Sequence, residues 1–216
     1  MTPAQASARA RDLCRMAPVI PVLVIDDLAH AEPLARALIA GGLPVLEVTL
    51  RTPVALQAIR AMAQVPGGVV GAGTLLTLAD VAAAVAHGAQ FGVSPGSTDQ
   101  LLTACEAAGL PLLPGAATAS EVMALLERGY TVQKFFPAES IGGAAALRAL
   151  GAPIPQVSFC PTGGITPGNA GDYLGLGTVL CVGGSWVAPK DLMQANDWEG
   201  ITALARIAAG MARKAV

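Results

Sequence analysis

The chain has 216 residues, of which 53% are hydrophobic and 13% are charged; this composition predicts one domain over residues 1–216 with a large core and excludes intrinsic disorder. The formal net charge of −2 provides no basic surface for nucleic acid, and an aromatic content of 4% argues against stacking of bases. No apolar stretch reaches the length of a transmembrane helix. We therefore expect a small-molecule partner, with no nucleic acid and no membrane.

The first predicted elements are an amphipathic helix and a buried strand. Residues 3–16 have the helical pattern, and the apolar run at 17–25 follows three arginines, as in a secretory signal peptide. However, two prolines interrupt this run and two aspartates follow it at once. A buried strand is therefore the better interpretation.

Short β-branched segments then alternate with alanine-rich helical segments that end at glycine. About eight such units in succession predict an α/β fold of the (β/α)8 TIM-barrel type with an extra N-terminal helix. A doubly wound sheet is the competitor, but it has fewer strands and a glycine-rich loop after the first strand, where this chain has IDDLAH. A closing helix is predicted at 197–216. The predicted strands are 19–25, 44–50, 68–73, 90–95, 110–115, 131–136, 156–160 and 178–184.

Polar residues at strand ends are the candidates for chemistry, because active sites of such barrels lie at the C-terminal ends of the strands. In LEVTLR the two-residue period of a strand puts Glu47, Thr49 and Arg51 on one face. In TVQKFF the same period puts Lys134 and Phe136 on one face. If both faces point inward, a carboxylate and an amine meet in the mouth of the barrel.

A lysine in a buried strand needs a partner or a chemical role. A structural ion pair between Glu47 and Lys134 is one explanation. Burial of both charges is costly, however, and apolar replacements are often as stable, so the position at the catalytic end favours chemistry. Burial among apolar residues favours the neutral amine, which attacks ketones, and a neighbouring carboxylate can move protons to and from the imine.

Two glycine-rich segments follow the last two strands: CPTGGITPGN at 160–169 and VGGSW at 182–186. Loops at these places often bind phosphate in barrels, since glycine lets a phosphate approach backbone N–H groups. Tight turns are the alternative, but two such segments with Thr162 and Ser185 beside them favour phosphate. Thr74, in GAGT, could bind a carboxylate together with Arg51. The SPG segment at 94–96 is equally well explained as a cavity wall or as a turn.

The segments EVTLRT, GAGT, SPG, KFFPAE, CPTGGI and GGSW, in this order, resemble the 2-keto-3-deoxy-6-phosphogluconate aldolase family. These are class I, Schiff-base enzymes of the Entner–Doudoroff pathway, and relatives cleave 4-hydroxy-2-oxoglutarate. The resemblance extends from about residue 14 to 210. It implies that Lys134 forms the imine and that Glu47 is the general acid/base. It further implies that Arg51 and Thr74 hold the pyruvate carboxylate and that Pro95 and Phe136 pack around the methyl group of pyruvate. By the same resemblance, Thr162 binds the carboxylate or hydroxyls of the substrate. The phosphate would be bound by Gly163, Gly164, Gly184 and Ser185.

The resemblance also implies a homotrimer that uses no metal and no cofactor beyond the imine. Cys14, Cys105, Cys160 and Cys181 are scattered without a CxxC pair, which predicts reduced, mostly buried thiols in a cytoplasmic protein, not a zinc site or disulfides. Three alternatives stay open: the phosphogalactonate epimer as substrate, 4-hydroxy-2-oxoglutarate as substrate, and a non-catalytic phosphate-binding barrel. A divalent-metal aldolase would be expected to show clustered carboxylate and histidine ligands, which the sequence does not provide.

Overall fold

In the computed structural model, which describes residues 1–212, strands and helices alternate along the chain and the paired strands run parallel. Two short 3-10 helices, Leu28–His30 and Glu139–Ile141, supplement the α-helices. The strands are β1 (Val19–Leu23), β2 (Val45–Thr49), β3 (Val69–Gly73), β4 (Gly92–Val93), β5 (Leu112–Leu113), β6 (Gly115–Ala116), β7 (Val132–Phe135), β8 (Ser158–Pro161) and β9 (Val182–Gly184). The helices are α1 (Pro3–Met16), α2 (Ala31–Ala40), α3 (Ala55–Met62), α4 (Leu78–Ala86), α5 (Asp99–Ala108), α6 (Ala119–Arg128), α7 (Gly143–Gly151), α8 (Ala170–Leu174), α9 (Lys190–Gln194) and α10 (Trp198–Ala209).

Local sequence explains where several helices begin and end. Thr2, Thr77 and Thr118 precede α1, α4 and α6, and each forms a capping box with the residue three positions later. Such boxes satisfy backbone N–H groups that have no partner within the helix. Helices α5 and α6 are followed by the cap residues Gly109 and Gly129, both in the left-handed conformation that glycine adopts easily.

The strands form a curled parallel sheet in two hydrogen-bonded stretches. Their orders are β5-β4-β3-β2-β1-β9 and β6-β7-β8. Pro114 separates β5 from β6 and so interrupts the single strand predicted at 110–115, since proline has no N–H to donate to a sheet. Two isolated bridges complete the contact between these stretches. Phe159 of β8 pairs with Val179, before β9, and Thr162, just after β8, pairs with Gly183 of β9. The fold is therefore α/β with helices packed outside a parallel sheet.

Buried apolar side chains form two clusters. The larger one lies between the sheet and the helices. The smaller one lies inside the curl, near the amino ends of the strands, and α1 contributes Ala10 and Cys14 to it. Helix α1 is fixed there by Ser7, whose hydroxyl accepts a hydrogen bond from the backbone N–H of Thr131 at 2.9 Å. The amino end of the curl is thus closed by a helix, and the opposite end stays open.

Each predicted strand segment overlaps an observed strand, and β8 extends one residue beyond its predicted segment, to Pro161. The predicted closing helix is observed as α10, which ends at Ala209, and residues 213–216 of that prediction lie outside the described residues. Within residues 1–212, no helix combines the length and the apolarity needed to cross a bilayer.

Candidate active site

A cavity of about 310 Å³ opens at the C-terminal ends of the strands. It is lined by side chains and loops that follow β1, β2, β3, β4, β7, β8 and β9, which is where parallel strands of this fold place their functional groups. All the predicted site residues line it. They are Glu47, Arg51, Thr74, Pro95, Lys134, Phe136, Thr162, Gly163, Gly164, Gly184 and Ser185.

Lys134 and Glu47 face each other at the bottom of this cavity. The lysine lies on β7 and the glutamate on β2; they are 5% and 3% exposed, and Lys134 Nζ is 3.4 Å from Glu47 Oε1. Lys134 Nζ also lies 5.2 Å from the centroid of the Phe136 ring. Burial raises the pKa of Glu47, and the Lys134 ammonium opposes this increase. The amine and the carboxyl group are thus held within reach of one ligand and shielded from bulk water.

Two glycines that were not among the predicted site residues make room for the side chains of Glu47 and Thr162. A Cβ at Gly73, opposite Thr49 in the sheet, would collide with the carboxylate of Glu47. A Cβ at Gly183 would collide in the same way with the hydroxyl of Thr162. Both glycines lie in segments singled out in the sequence, GAGT and VGGSW, and glycine within a strand marks close approach of other groups.

The side of the cavity next to β2 and β3 carries Arg51 and Thr74. Arg51 is exposed at the rim. Thr74 has a φ of 64°, which is an outlier for a β-branched residue and is typical of functional sites. Pro95 lies on the neighbouring wall, between these residues and Lys134. A cation and a hydroxyl are therefore available to a carboxylate at this edge.

On the opposite side, the loops after β8 and β9 expose backbone. Gly163 and Gly164 have φ values of 101° and 75°, which only glycine adopts without strain. A Cβ at Gly164 would lie 2.6 Å from Glu139 Cβ, and one at Gly184 would collide with the Trp186 ring. These glycines therefore serve packing as well as access to the backbone.

The segment after β7 supports the TGG loop (Thr162–Gly164) from outside the cavity. The N–H of Ala138 donates to Thr162 O at 2.8 Å, and that of Glu139 donates to Gly163 O at 3.0 Å. The hydroxyl of the buried Tyr173 donates in turn to the carboxylate of Glu139. These supports were not predicted, although Glu139 lies within the KFFPAE segment.

The four cysteines are buried, as predicted, and are not in disulfides. Three of them are not separate, however. Cys14, Cys160 and Cys181 have their sulfur atoms within 4.8 Å of one another, which the spacing in the sequence did not indicate because α1 approaches β8 and β9 only in the folded chain.

A buried lysine beside a glutamate, at the open end of a curled parallel α/β fold, is the arrangement that class I aldolases use, in which a lysine forms an imine with a ketone. A family model described as KDPG and KHG aldolase matches residues 10–204. The chain belongs to this family of carbon–carbon lyases.

Individual relatives agree with this assignment. The chain is 54% identical over 202 residues to a 2-dehydro-3-deoxy-phosphogluconate aldolase of Zymomonas mobilis, with 94% of this chain and 96% of the relative covered. It is 52% identical over 198 residues to a KHG/KDPG aldolase of Escherichia coli, with 91% and 93% covered. A crystal structure of the 2-keto-3-deoxy-6-phosphogluconate aldolase of Zymomonas mobilis with 3-phosphoglycerate superposes with a TM-score of 0.91 at 53% identity, covering 96% of this chain and 99% of that one. A KDPG aldolase of Legionella pneumophila, with pyruvate captured as a covalent carbinolamine, superposes with a TM-score of 0.90 at 46% identity, covering 93% and 98%.

Proposed function

We propose that this protein cleaves 2-dehydro-3-deoxy-6-phospho-D-gluconate reversibly to pyruvate and D-glyceraldehyde 3-phosphate. The observation that carries the proposal is the Lys134–Glu47 pair, buried at the bottom of a cavity and separated by 3.4 Å. An amine in that position can attack a ketone, and a carboxyl group beside it can exchange protons with the adduct. The names of the relatives from Zymomonas mobilis and Escherichia coli support the choice of substrate.

The chemistry follows from these two side chains. Neutral Lys134 Nζ adds to the C2 ketone to form a carbinolamine. Protonated Glu47 then donates its proton to the carbinolamine hydroxyl, which leaves as water, and a protonated imine and the Glu47 carboxylate remain. Glu47 then accepts the proton of the C4 hydroxyl, the C3–C4 bond breaks, and its electron pair moves into the imine to give an enamine and the free aldehyde. Protonation of the enamine at C3 and hydrolysis of the imine release pyruvate and restore the lysine. The carbinolamine captured in the Legionella pneumophila aldolase supports the first step.

The rest of the cavity suits the two ends of this substrate. We assign Arg51 and Thr74 to the pyruvate carboxylate, with Pro95 and Phe136 packed around the methyl group. Thr162, buried beside Lys134, contacts the carboxylate or hydroxyls of the substrate. The backbone of the TGG loop and of Gly184, together with the Ser185 hydroxyl, binds the phosphate through N–H groups left accessible by glycine. The protonated imine is the electron sink, so the proposed mechanism uses no metal and no other cofactor.

The larger architecture belongs to the same proposal. We infer that the sheet closes into one (β/α)8 barrel over residues 1–216, with α1 as an extra helix below it. Contiguity of β5 and β6 across Pro114 and the two bridges between β8 and the β9 segment support closure. A cytoplasmic location is supported by four buried cysteines outside disulfides, and a homotrimer is inferred from the family resemblance.

Reduction of the imine in place tests the mechanism. Incubation with pyruvate and borohydride is expected to add one reduced pyruvate to the peptide that contains Lys134, as read by mass spectrometry. Lys134→Arg is expected to abolish both labelling and cleavage, since guanidinium stays protonated and cannot form the imine. The matched control is Lys190→Arg, at an exposed lysine paired with Asp26, which should keep both.

Two results would contradict this assignment. One is labelling of Lys190, or of Lys214 outside the described residues, in place of Lys134. The other is an arginine variant at position 134 that cleaves the substrate as fast as the unchanged protein. If Lys134 is labelled but the phosphorylated substrate is not cleaved, the imine-forming role of Lys134 would stand and the proposed substrate would be wrong.

A further inference from the structure

The three converging thiols lie in a part of the fold that the proposed reaction does not use. Cys14 comes from α1, Cys160 from β8, and Cys181 immediately precedes β9. Their exposed fractions are 1%, 2% and 0%. They belong to the apolar cluster inside the curl, and Cys160 lies opposite Lys134 in the pairing of β7 with β8.

The spacing of the sulfur atoms fits one metal ion. A zinc–thiolate bond of about 2.3 Å places three sulfurs around the ion roughly 4 Å from one another, and the three Sγ atoms lie within 4.8 Å. Thiolate ligands select soft cations, whereas Mg²⁺ and Ca²⁺ prefer oxygen. Apolar side chains, among them Ile20 and Leu180, pack around the three cysteines.

Cationic side chains lie near the three sulfur atoms. Three thiolates around a divalent ion carry a net charge of −1, and a buried anion needs nearby cations. One such cation is Lys134, which lies opposite Cys160 in the pairing of β7 with β8. The Arg11 guanidinium, which donates to the Ser158 hydroxyl at 3.0 Å, is a second cation near Cys14.

We propose that Cys14, Cys160 and Cys181 form a binding site for one thiophilic d¹⁰ cation such as Zn²⁺. Binding forms three metal–sulfur bonds and releases to solvent the protons of those sulfurs that were thiols. The ion links α1 to the last two strands and therefore stabilises the folded chain in proportion to its affinity. This site does not depend on the activity proposed above.

Cadmium is a suitable probe, because its thiolate complexes absorb in the ultraviolet through sulfur-to-metal charge transfer. The full-length protein, both native and refolded in the presence of Cd²⁺, is expected to bind one equivalent, show the charge-transfer band and melt at a higher temperature. Refolding is included because the thiols are buried and α1 closes that end of the fold. Absence of the band from both preparations would overturn the proposal.

Variants locate the binding. Loss of an outer-shell partner of a metal site weakens binding by about 10- to 100-fold. Loss of a ligand should cost more, so Cys14→Ala and Cys181→Ala are expected to weaken Cd²⁺ binding beyond that range and to abolish the rise in melting temperature. Cys105→Ala removes a buried thiol from α5, outside the cluster, and should bind like the unchanged protein. Cys14→Ser serves if the alanine variant does not fold. Equal binding by a folded Cys14 variant and the unchanged protein would refute the three-thiol site.

Discussion

At the scale of single residues, Glu47 combines burial with a reactive position. It is 3% exposed, and the collision that a Cβ at Gly73 would cause shows how closely the backbone surrounds its carboxylate. Desolvation raises its pKa, while Lys134 favours the ionised form. A general base is most effective when its pKa lies near the working pH, so the burial that is costly for a structural ion pair is useful for proton transfer.

Glu47→Gln keeps the shape of the side chain and removes its capacity to exchange protons. Turnover is expected to fall by about 10²- to 10⁴-fold, while pyruvate is still trapped by borohydride. In the unchanged protein, activity should rise with pH as Glu47 ionises, and this rise should lie above the ordinary glutamate range because its pKa is raised. The pH profile of kcat/KM measures both effects. Unchanged turnover in the glutamine variant would leave Glu47 as a charge partner only.

Ser185 gives the cleaner test of phosphate binding. It is exposed at the rim, whereas any side chain at Gly163 would be strained at a φ of 101°. Ser185→Asp is expected to lower kcat/KM for the phosphorylated substrate by about 10- to 100-fold through like-charge repulsion, with little change for the unphosphorylated analogue. The control is Ser185→Asn, because asparagine has nearly the same shape as aspartate but carries no charge. Equal losses by the aspartate variant on both substrates would argue against phosphate at this loop.

At the scale of elements, the TGG loop depends on the segment that follows β7. Backbone N–H groups of Ala138 and Glu139 hold its carbonyls, and α8 holds Glu139 through the Tyr173 hydroxyl. A loop whose backbone binds a ligand must be supported by neighbouring elements, because a small displacement removes several hydrogen bonds together.

Tyr173→Phe removes the outermost of these supports without changing the cavity wall. We expect KM for the phosphorylated substrate to rise roughly 10-fold, in line with about 1.5 kcal/mol for a hydrogen bond to a charged group, and pyruvate labelling to stay unchanged. Tyr130→Phe is the matched control, since Tyr130 is also buried and donates to a glutamate, Glu106, at 3.2 Å but lies away from the cavity. A rise in KM of the same size in both variants would mean a general loss of stability.

At the scale of the whole molecule, a single chain leaves some large apolar side chains exposed to solvent. Leu76 and Leu78 are 59% and 54% exposed, and Val85, seven residues after Leu78 on α4, is 41% exposed. Residues seven apart share a helix face, and apolar patches of this kind mark interaction surfaces. We expect sedimentation equilibrium to give three times the chain mass of 21.6 kDa. A monomer at micromolar concentration would contradict the trimer.

The sequence by itself determined the parallel α/β class and the positions of the strands along the chain, and its strand ends and glycine-rich segments contained the eleven residues assigned to the site. This was possible because the two-residue period of LEVTLR and TVQKFF assigns each side chain to a face, and because strand ends in such folds meet at one edge. Composition and periodicity alone were compatible with either a structural ion pair or a catalytic pair at Lys134 and Glu47. The family resemblance added the expected catalytic roles of these two residues.

Only the tertiary structure decided which groups touch across the fold. No pattern in the sequence connected Gly73 with Glu47, whereas in the folded chain Gly73 lies against the Glu47 carboxylate. The sequence likewise assigned no partner to Tyr173, whose hydroxyl donates to Glu139 in the structure. Cys14 met Cys160 and Cys181 because α1 closes the amino end of the curl. Periodicity specifies the face on which a side chain lies, but its neighbours come from segments distant in sequence, and their approach depends on packing of the whole chain.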